Sequence, residues 1–153
     1  MAIWQYNLTV LPKSIFDKEY FSLEQFIDED GFLDDESCWL TEPTRANFFN
    51  EIEHFLPRNK SWSTNIILFG NQNSNRFEIY KNVDDFVISV SFRIDYTSEY
   101  EDILRAIISF IEMRKLVILD EEMRLLDSNF VTIKSHIEAS NQRKAYEDLS
   151  KDD

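Results

Sequence analysis

The sequence contains very little cysteine, glycine and proline. Of its 153 residues, one is cysteine, two are glycine and three are proline. The single thiol, Cys38, cannot form an intramolecular disulfide, so nothing indicates an oxidising compartment, and such a thiol is typically packed rather than reactive. With so few glycines, the left-handed positions of turns must fall mainly to other residues, and asparagine tolerates that conformation best. We therefore predict left-handed backbone at Asn71, Asn73, Asn75 and Asn82.

Basic residues are also scarce. The chain has 16 Lys and Arg against 29 Asp and Glu, a net charge of −13, and its first sixty residues hold 12 of the acids and only five bases. Such a field repels nucleic acid and anionic lipid, but it speeds encounter with a basic protein. Acidity also serves solubility. The charge therefore argues against binding to nucleic acid or membrane, and it leaves open both a basic protein partner and a simply well-solvated surface.

Long hydrophobic runs and known catalytic motifs are missing as well. No apolar run approaches the roughly 18 residues of a membrane span, and the opening MAIWQYNLTV lacks the pattern of a signal peptide. Neither export nor insertion is expected, which favours the cytoplasm. GxSxG, HExxH and GxxxxGK[ST] do not occur, and one cysteine with two distant histidines, His54 and His136, does not make a zinc site. Each histidine is interpreted as an ordinary, partly exposed side chain, and we predict no enzyme activity, metal or cofactor.

Alternating polar and apolar residues predict the strands. Trp4, Tyr6, Leu8 and Val10 alternate with polar residues, and three strands over about 65–96 form a meander. In the last of these, one row of side chains is expected to face the core: Phe86, Ile88, Val90, Phe92, Ile94 and Tyr96. The apolar run LVIL at 116–119 predicts a strand buried on both faces and placed parallel to a neighbour by a right-handed crossover.

Helical spacing of apolar residues predicts the remaining elements. We expect a short helix at 15–27, a helix from Thr44 to Leu56 capped by Thr44, a helix opened by a capping box at 98–101, and a helix over 130–140. Residues 141–153 have few apolar anchors and are expected to fray. Residues 1–153 are thus predicted to form one α+β domain, with a mixed, mainly antiparallel sheet and helices packed mainly on one face.

The stretch DEDGFLDDE at 28–36 concentrates six carboxylates around Gly31 and is expected to be an exposed loop. A calcium loop beginning at Asp28 would place Phe32 at its fifth position and Leu33 at its sixth, so the ligand spacing fails. No base that could orient a phosphate lies within the stretch. The segment is therefore either solvated or a partner-facing patch with Phe32 and Leu33 as apolar anchors, and its acidic members are Asp28, Glu29, Asp30, Asp34, Asp35 and Glu36.

Arg93 and Asp95 form a second candidate group. At i and i+2 of one strand they share the face opposite the apolar row, where they could pair with each other, clamp a ligand carboxylate or contact a partner. Trp39 and Trp62 lie in polar surroundings. Each is either an interface anchor or a side chain packed against the domain with its N–H bonded.

Several short motifs follow one another along the chain, and their order is informative. They are Trp4, Leu11-Pro12, Leu56-Pro57, Ser61-Trp62, Gly70 and Arg93-Ile94-Asp95. In this layout the sequence resembles a bacterial family of small acidic immunity proteins that accompany polymorphic or contact-dependent growth-inhibition toxins. The resemblance implies a cytoplasmic protein without catalysis that binds one toxin domain, expected to be basic, and blocks its active site or substrate surface. Two alternatives remain open: a metal-dependent hydrolase that uses the 28–36 loop, and an acidic regulatory or adaptor module.

Overall fold

A computed structural model describes residues 4–151 and contains one seven-stranded sheet in the order β2-β3-β4-β5-β1-β6-β7. All strand pairings among these residues are antiparallel. The predicted α+β class and the central meander, β3 to β5, are confirmed. The strands are β1 Gln5–Pro12, β2 Arg58–Asn59, β3 Ile66–Gly70, β4 Arg76–Lys81, β5 Val87–Asp95, β6 Leu116–Leu119 and β7 Leu125–Leu126.

The predicted parallel neighbour of β6 is wrong. β6 is buried along its whole length, as expected, but it pairs antiparallel with β1 on one side and with β7 on the other. β1 also pairs antiparallel with β5, so β5 and β6 run in the same direction with β1 between them. The helix that joins β5 to β6 therefore crosses over β1. The N-terminal strand fills the place in which a direct parallel pairing was expected.

The longer helices pack on one face of the sheet, which confirms the predicted arrangement. This face carries Phe77, whose ring lies 5.7 Å from that of Phe49 and 6.5 Å from that of Phe110. Phe49 belongs to a 3-10 helix, Ala46–His54, and Phe110 to α2, Glu101–Met113. Helix α3, Phe130–Glu138, reaches the same face, since His136 contacts Tyr6 of β1.

Strand β5 follows the predicted alternation only in part. Val90 and Ile94 are fully buried, but Phe86 and Ile88 are partly exposed, and Val87 is buried in their place. The cause is a register shift between β4 and β5, in which Ile79 pairs with Val90 but Lys81 pairs with Val87. This bulge inserts one extra residue into β5 and so reverses which of its first side chains are buried.

The helix predicted over 44–56 begins later and has a tighter geometry. A 3-10 helix spans Ala46–His54, and the hydroxyl of Thr44 donates to the carbonyl oxygen of Glu42 instead of capping it. The Thr44 carbonyl accepts from Val87 N and Ala46 N donates to the Asp85 carbonyl, both at 2.8 Å. These bonds hold residues 44–46 extended beside the start of β5, so the helix cannot begin there.

Residues 13–40 also differ from the prediction. The expected helix at 15–27 is replaced by two short 3-10 helices, Lys13–Asp17 and Leu23–Phe26, and an unpredicted helix α1 spans Asp35–Leu40. Cys38 of α1 is fully buried, and burial raises the pKa of its thiol to about 11. The prediction of a packed thiol is confirmed.

The start of α2 differs from the prediction, and the residues after α3 form one more helix. Helix α2 begins at Glu101 without a side-chain cap, because the hydroxyl of Ser98 donates to the Asp95 carbonyl and accepts from Asn75. The predicted tail is helical as far as Lys151, as helix α4, Asn141–Lys151. Its Tyr146 ring packs 5.9 Å from that of Tyr96, and residues 152 and 153 lie outside the described residues. Of the helices so described, none has the length and apolar character needed to cross a bilayer.

None of the four asparagines predicted in left-handed backbone has a positive φ; Gly70 and Asp85 take that conformation next to the two turns. Asn71, Asn75 and Asn82 act through their side chains instead. Asn71 Oδ1 accepts from Asn73 N at 2.8 Å, and Asn82 Oδ1 accepts from two backbone amides at 3.0 Å each. A side-chain amide that bonds the following backbone shapes a turn without left-handed geometry.

Candidate functional site

Residues 27–33 form a tight hairpin instead of an irregular loop. Ile27 and Leu33 pair as an isolated bridge, and Asp28 N donates to the Phe32 carbonyl at 2.9 Å. Asp28 also accepts at one carboxylate oxygen from the amides of Asp30 and Phe32, both at 2.9 Å. Gly31 supplies the left-handed residue of the turn, with φ of +84°. The turn is therefore fixed by the backbone and by one carboxylate.

The second half of the acidic stretch opens helix α1, so the expected loop ends at Asp34. Asp34 accepts from Ser37 N at 3.2 Å and from Ser37 Oγ at 2.6 Å, and these bonds lower the pKa of its carboxyl. Asp35 is half-buried and accepts from the hydroxyl of Ser89 on β5. Burial raises the pKa of Asp35 despite that bond. Both carboxylates thus hold the segment in place.

What the segment presents to solvent is a smaller set of side chains. Phe32 is 71% exposed at the turn, whereas Leu33 packs against the core. The exposed residues of the hairpin and of α1 whose side chains make none of the hydrogen bonds above are here called the hairpin surface: Glu29, Asp30, Phe32, Glu36 and Leu40. This surface combines an exposed aromatic ring with three carboxylates that are free to meet a partner.

Arg93 and Asp95 lie on the predicted face, but they are buried there. Arg93 donates to the carbonyl oxygens of Gln72 and Ser74. Asp95 accepts from Ser74 Oγ at 2.8 Å and from both the amide and the hydroxyl of Thr97. Burial lowers the pKa of Arg93 to about 10. The two residues clamp the β3–β4 turn onto the sheet, and they offer little surface to a ligand or partner.

A third group was not recognised in the sequence. Asp120, only 1% exposed, accepts from two backbone amides and from Arg124 Nε at 2.8 Å. Its other neighbour is His136 Nε2 at 3.2 Å, and the Tyr6 hydroxyl lies 3.3 Å from that same nitrogen. Tyr6 and His136 are 130 positions apart, so no local pattern could have joined them. The carboxylate therefore connects the end of β6 to α3, and His136 connects α3 to β1.

A cavity of about 360 Å³ opens beside this group and is lined by Tyr6, Glu121, Arg124 and His136. Burial raises the pKa of Tyr6 to about 12, and the nearby carboxylates of Asp120 and Glu121 add to the effect. Among residues 4–151, no three His, Cys, Asp or Glu side chains gather in an arrangement that could hold a metal ion. The Arg124 guanidinium already balances Asp120, so the group is organised as a structural network.

The raised pKa of Tyr6 predicts a loss of stability at alkaline pH. An unfolded tyrosine titrates near pH 10, so the contribution of Tyr6 is fully present below about pH 10 and is lost as the pH rises towards 12. Tyr6→Phe should reduce this loss by about 1 to 2 kcal/mol, as measured by urea unfolding at pH 8, 10 and 11. Tyr20→Phe is the control because Tyr20 is 88% exposed. Equal pH slopes for Tyr6→Phe and the unmodified chain would contradict the prediction.

The remaining residues identified in the sequence differ in how exposed they are. Trp62 is 72% exposed and Trp39 is 1% exposed, while His54 is exposed as interpreted. The packing predicted for Trp39 is confirmed, but its indole Nε1 makes no hydrogen bond within residues 4–151.

Comparison of the chain with protein-family models, with curated proteins and with solved structures finds no match. Function must therefore be inferred from the contacts and exposures described above.

Proposed function

We propose that this chain is a cytoplasmic immunity protein that neutralises a basic bacterial toxin domain by stoichiometric binding through the hairpin surface. The observation that carries the proposal is the 71% exposed ring of Phe32, held by a fixed turn among exposed carboxylates. A large aromatic side chain that needs little further ordering is a typical interface anchor. Without a partner, its exposure brings the fold no stability.

The charge of the molecule fits such a partner. A net charge of −13 accelerates encounter with a basic protein and repels nucleic acid. A toxin that acts on nucleic acid must itself carry a basic surface that contacts phosphates. Carboxylates placed on that surface compete directly with the phosphate backbone, which gives an acidic inhibitor both speed and specificity.

Some acidic residues of the segment stabilise its structure, and others are exposed and could contact the toxin domain. Asp28, Asp34 and Asp35 are engaged in hydrogen bonds within the chain, so they support the hairpin surface without belonging to it. Leu33 packs inward, and Arg93 and Asp95 are buried in the turn clamp. The proposed contact residues are therefore fewer than the sequence suggested. Three carboxylates, one aromatic ring and Leu40 make up the set.

Co-expression tests the function as a whole. The chain is expressed with the toxic domain encoded immediately upstream of its gene, and we expect a stable complex on purification and protection of the cells. Absence of both would sink the proposal. A regulatory or adaptor module could use the same surface, but its gene would not lie directly behind that of a toxin.

Kinetic measurements test which residues do the work. A triple variant of the hairpin surface should slow association with the toxin domain about tenfold at low salt, because steering charges act on the association rate. It should also make that rate less dependent on salt. Phe32→Ala should instead raise the dissociation rate about tenfold or more, because an anchor acts after encounter. Surface plasmon resonance at several salt concentrations measures both rates. The triple variant is Glu29→Gln, Asp30→Asn and Glu36→Gln.

A second triple variant removes equal charge from exposed positions on other elements: Glu53→Gln, Glu112→Gln and Asp127→Asn. If both triples slow association equally, net charge alone drives the encounter and the hairpin surface has no special role. For Phe32, the exposed valine of the β4–β5 turn provides the control, as Val83→Ala. An unchanged dissociation rate for Phe32→Ala would place the anchor elsewhere.

A further inference from the structure

Left-handed backbone at a residue other than glycine is unusual and needs a physical reason. Among residues 4–151 it occurs at four positions: Tyr20, Asp85, Lys115 and Met123. Three of these residues serve the fold. Asp85 forms an ion pair with Lys81. Lys115 N donates to the Glu112 carbonyl at the end of α2, and Met123 packs against the core. Tyr20 is the residue for which the fold offers no such reason.

The side chain of Tyr20 lies almost entirely in solvent. It is 88% exposed, and within the described part of the chain it makes neither a hydrogen bond nor a ring contact. Its backbone has φ of +66°, a conformation that crowds the Cβ atom of an L-residue. The fold therefore bears a conformational cost here and gains little packing in return. Strained residues are concentrated at functional sites, which indicates that the ring serves a contact outside the chain.

The turn that carries Tyr20 is fixed and is joined to the base of the hairpin. Phe21 N donates to the Lys18 carbonyl at 3.1 Å and closes the turn. The Phe21 ring stacks on that of Phe26, with centroids 5.7 Å apart, and the Phe26 carbonyl accepts from Asp34 N at 2.6 Å. Because Asp34 directly follows the hairpin, packed rings and a backbone hydrogen bond connect the turn to the segment that carries the hairpin surface.

The charges around the turn have the same sign as those of the hairpin surface. Residues 17–36 include nine Asp and Glu and a single base, Lys18. Glu19 and Glu24 flank Tyr20 in the sequence, and both are exposed. A tyrosine ring attracts a Lys or Arg cation over its face, and nearby carboxylates strengthen that attraction. The turn is therefore suited to a basic partner, as the hairpin surface is.

We propose that Tyr20 is a second anchor for the basic toxin domain, and that the interface extends from the hairpin surface to the turn at 18–21. A Lys or Arg side chain of the toxin domain lies over the Tyr20 ring, with the Glu19 carboxylate beside it. The inference rests on the proposed function and names a further contact for the same partner. Binding then covers a ring that the free chain leaves in water.

Dissociation of the complex tests the second anchor. The full-length chain and its variants are bound to the toxic domain encoded immediately upstream, and dissociation rates are measured by surface plasmon resonance. Tyr20→Ala should raise the dissociation rate about tenfold, because an anchor acts after encounter. Tyr20→Phe keeps the ring face and should change the rate by less than about twofold. Trp62→Ala removes an equally exposed aromatic side chain from the loop between β2 and β3 and should leave the rate unchanged.

The outcomes separate this inference from the function on which it rests. If the unmodified chain does not bind the toxin domain, the proposed function fails and the second anchor fails with it. If the unmodified chain binds and Tyr20→Ala dissociates no faster, only the second anchor is overturned. It is also overturned if Trp62→Ala dissociates as fast as Tyr20→Ala, because the effect would then not be specific to the turn.

The stability of the free chain gives an independent test at the same position. Glycine adopts left-handed backbone readily, so Tyr20→Gly should leave the midpoint of urea unfolding unchanged or raise it. In the complex, the same variant should dissociate as fast as Tyr20→Ala. A clear fall of the midpoint would show that the Tyr20 side chain supports the fold, and the proposal would be wrong.

Discussion

Gly70→Ala is expected to lower the free energy of unfolding by about 3 to 5 kcal/mol. Part of this loss, about 1 to 2 kcal/mol, comes from left-handed backbone, since Gly70 has φ of +88°. The larger part is steric, because an added Cβ would lie 2.4 Å from the Asn75 carbonyl oxygen and 3.2 Å from Arg76 Cα. Both are backbone atoms and cannot rotate away. The β3–β4 turn would have to move, and the clamp of Arg93 and Asp95 would move with it.

Gly31→Ala is the matched control for this substitution. Its φ of +84° is nearly the same, but a Cβ added there would meet nothing within 4 Å. We therefore expect only the conformational cost, about 1 to 2 kcal/mol. Urea unfolding of both variants measures the difference. Equal losses would show that the close approach at Gly70 contributes nothing.

Asp95→Ala is expected to cost about 3 kcal/mol or more of stability, the usual consequence of breaking a buried charged network. Asp95 is 5% exposed and accepts from Ser74 Oγ and from two groups of Thr97. Its removal leaves these donors without an acceptor. It also removes a negative charge beside Arg93, whose guanidinium is buried by the same turn.

Asp84→Ala is the control, because Asp84 is exposed in the neighbouring β4–β5 turn and its hydrogen bonds there are made by its backbone amide and carbonyl. Its stability should change by less than about 0.5 kcal/mol. The two variants also separate the structural role of Asp95 from the partner-binding role predicted in the sequence. If Asp95→Ala keeps full stability and loses partner binding, Asp95 does not hold the β3–β4 turn in place. The partner-binding role predicted from the sequence would then be correct.

The sequence predicted those features that depend on neighbouring residues. Alternation found β1 and the meander, and helical spacing found α2 and α3, because burial of one face repeats along the chain. It failed where a distant segment intervened. The bulge changed which residues at the start of β5 are buried, and β1 lies beside β6 where a parallel strand was expected. Hydrogen bonds to the start of β5 hold residues 44–46 extended, so the following helix begins later than predicted.

The candidate site shows the same division. The acidic stretch was evident, and so was its exposed aromatic residue, but the sequence could not show which carboxylates would be used internally. Asp34 and Asp35 acquire their roles from a helix that was not predicted. The spacing of Arg93 and Asp95 correctly placed them on one face; that the β3–β4 turn folds over this face depends on contacts about twenty residues away.

The two outermost strands, β2 and β7, contain only two residues each. Long open edges invite strands of other chains to add on, by fibril-like self-association or by peptide augmentation, and very short edge strands prevent this. Two residues provide too few free backbone groups for a stable added strand. The sheet is therefore protected against templated growth at both ends, and the addition of a strand from another chain is disfavoured there.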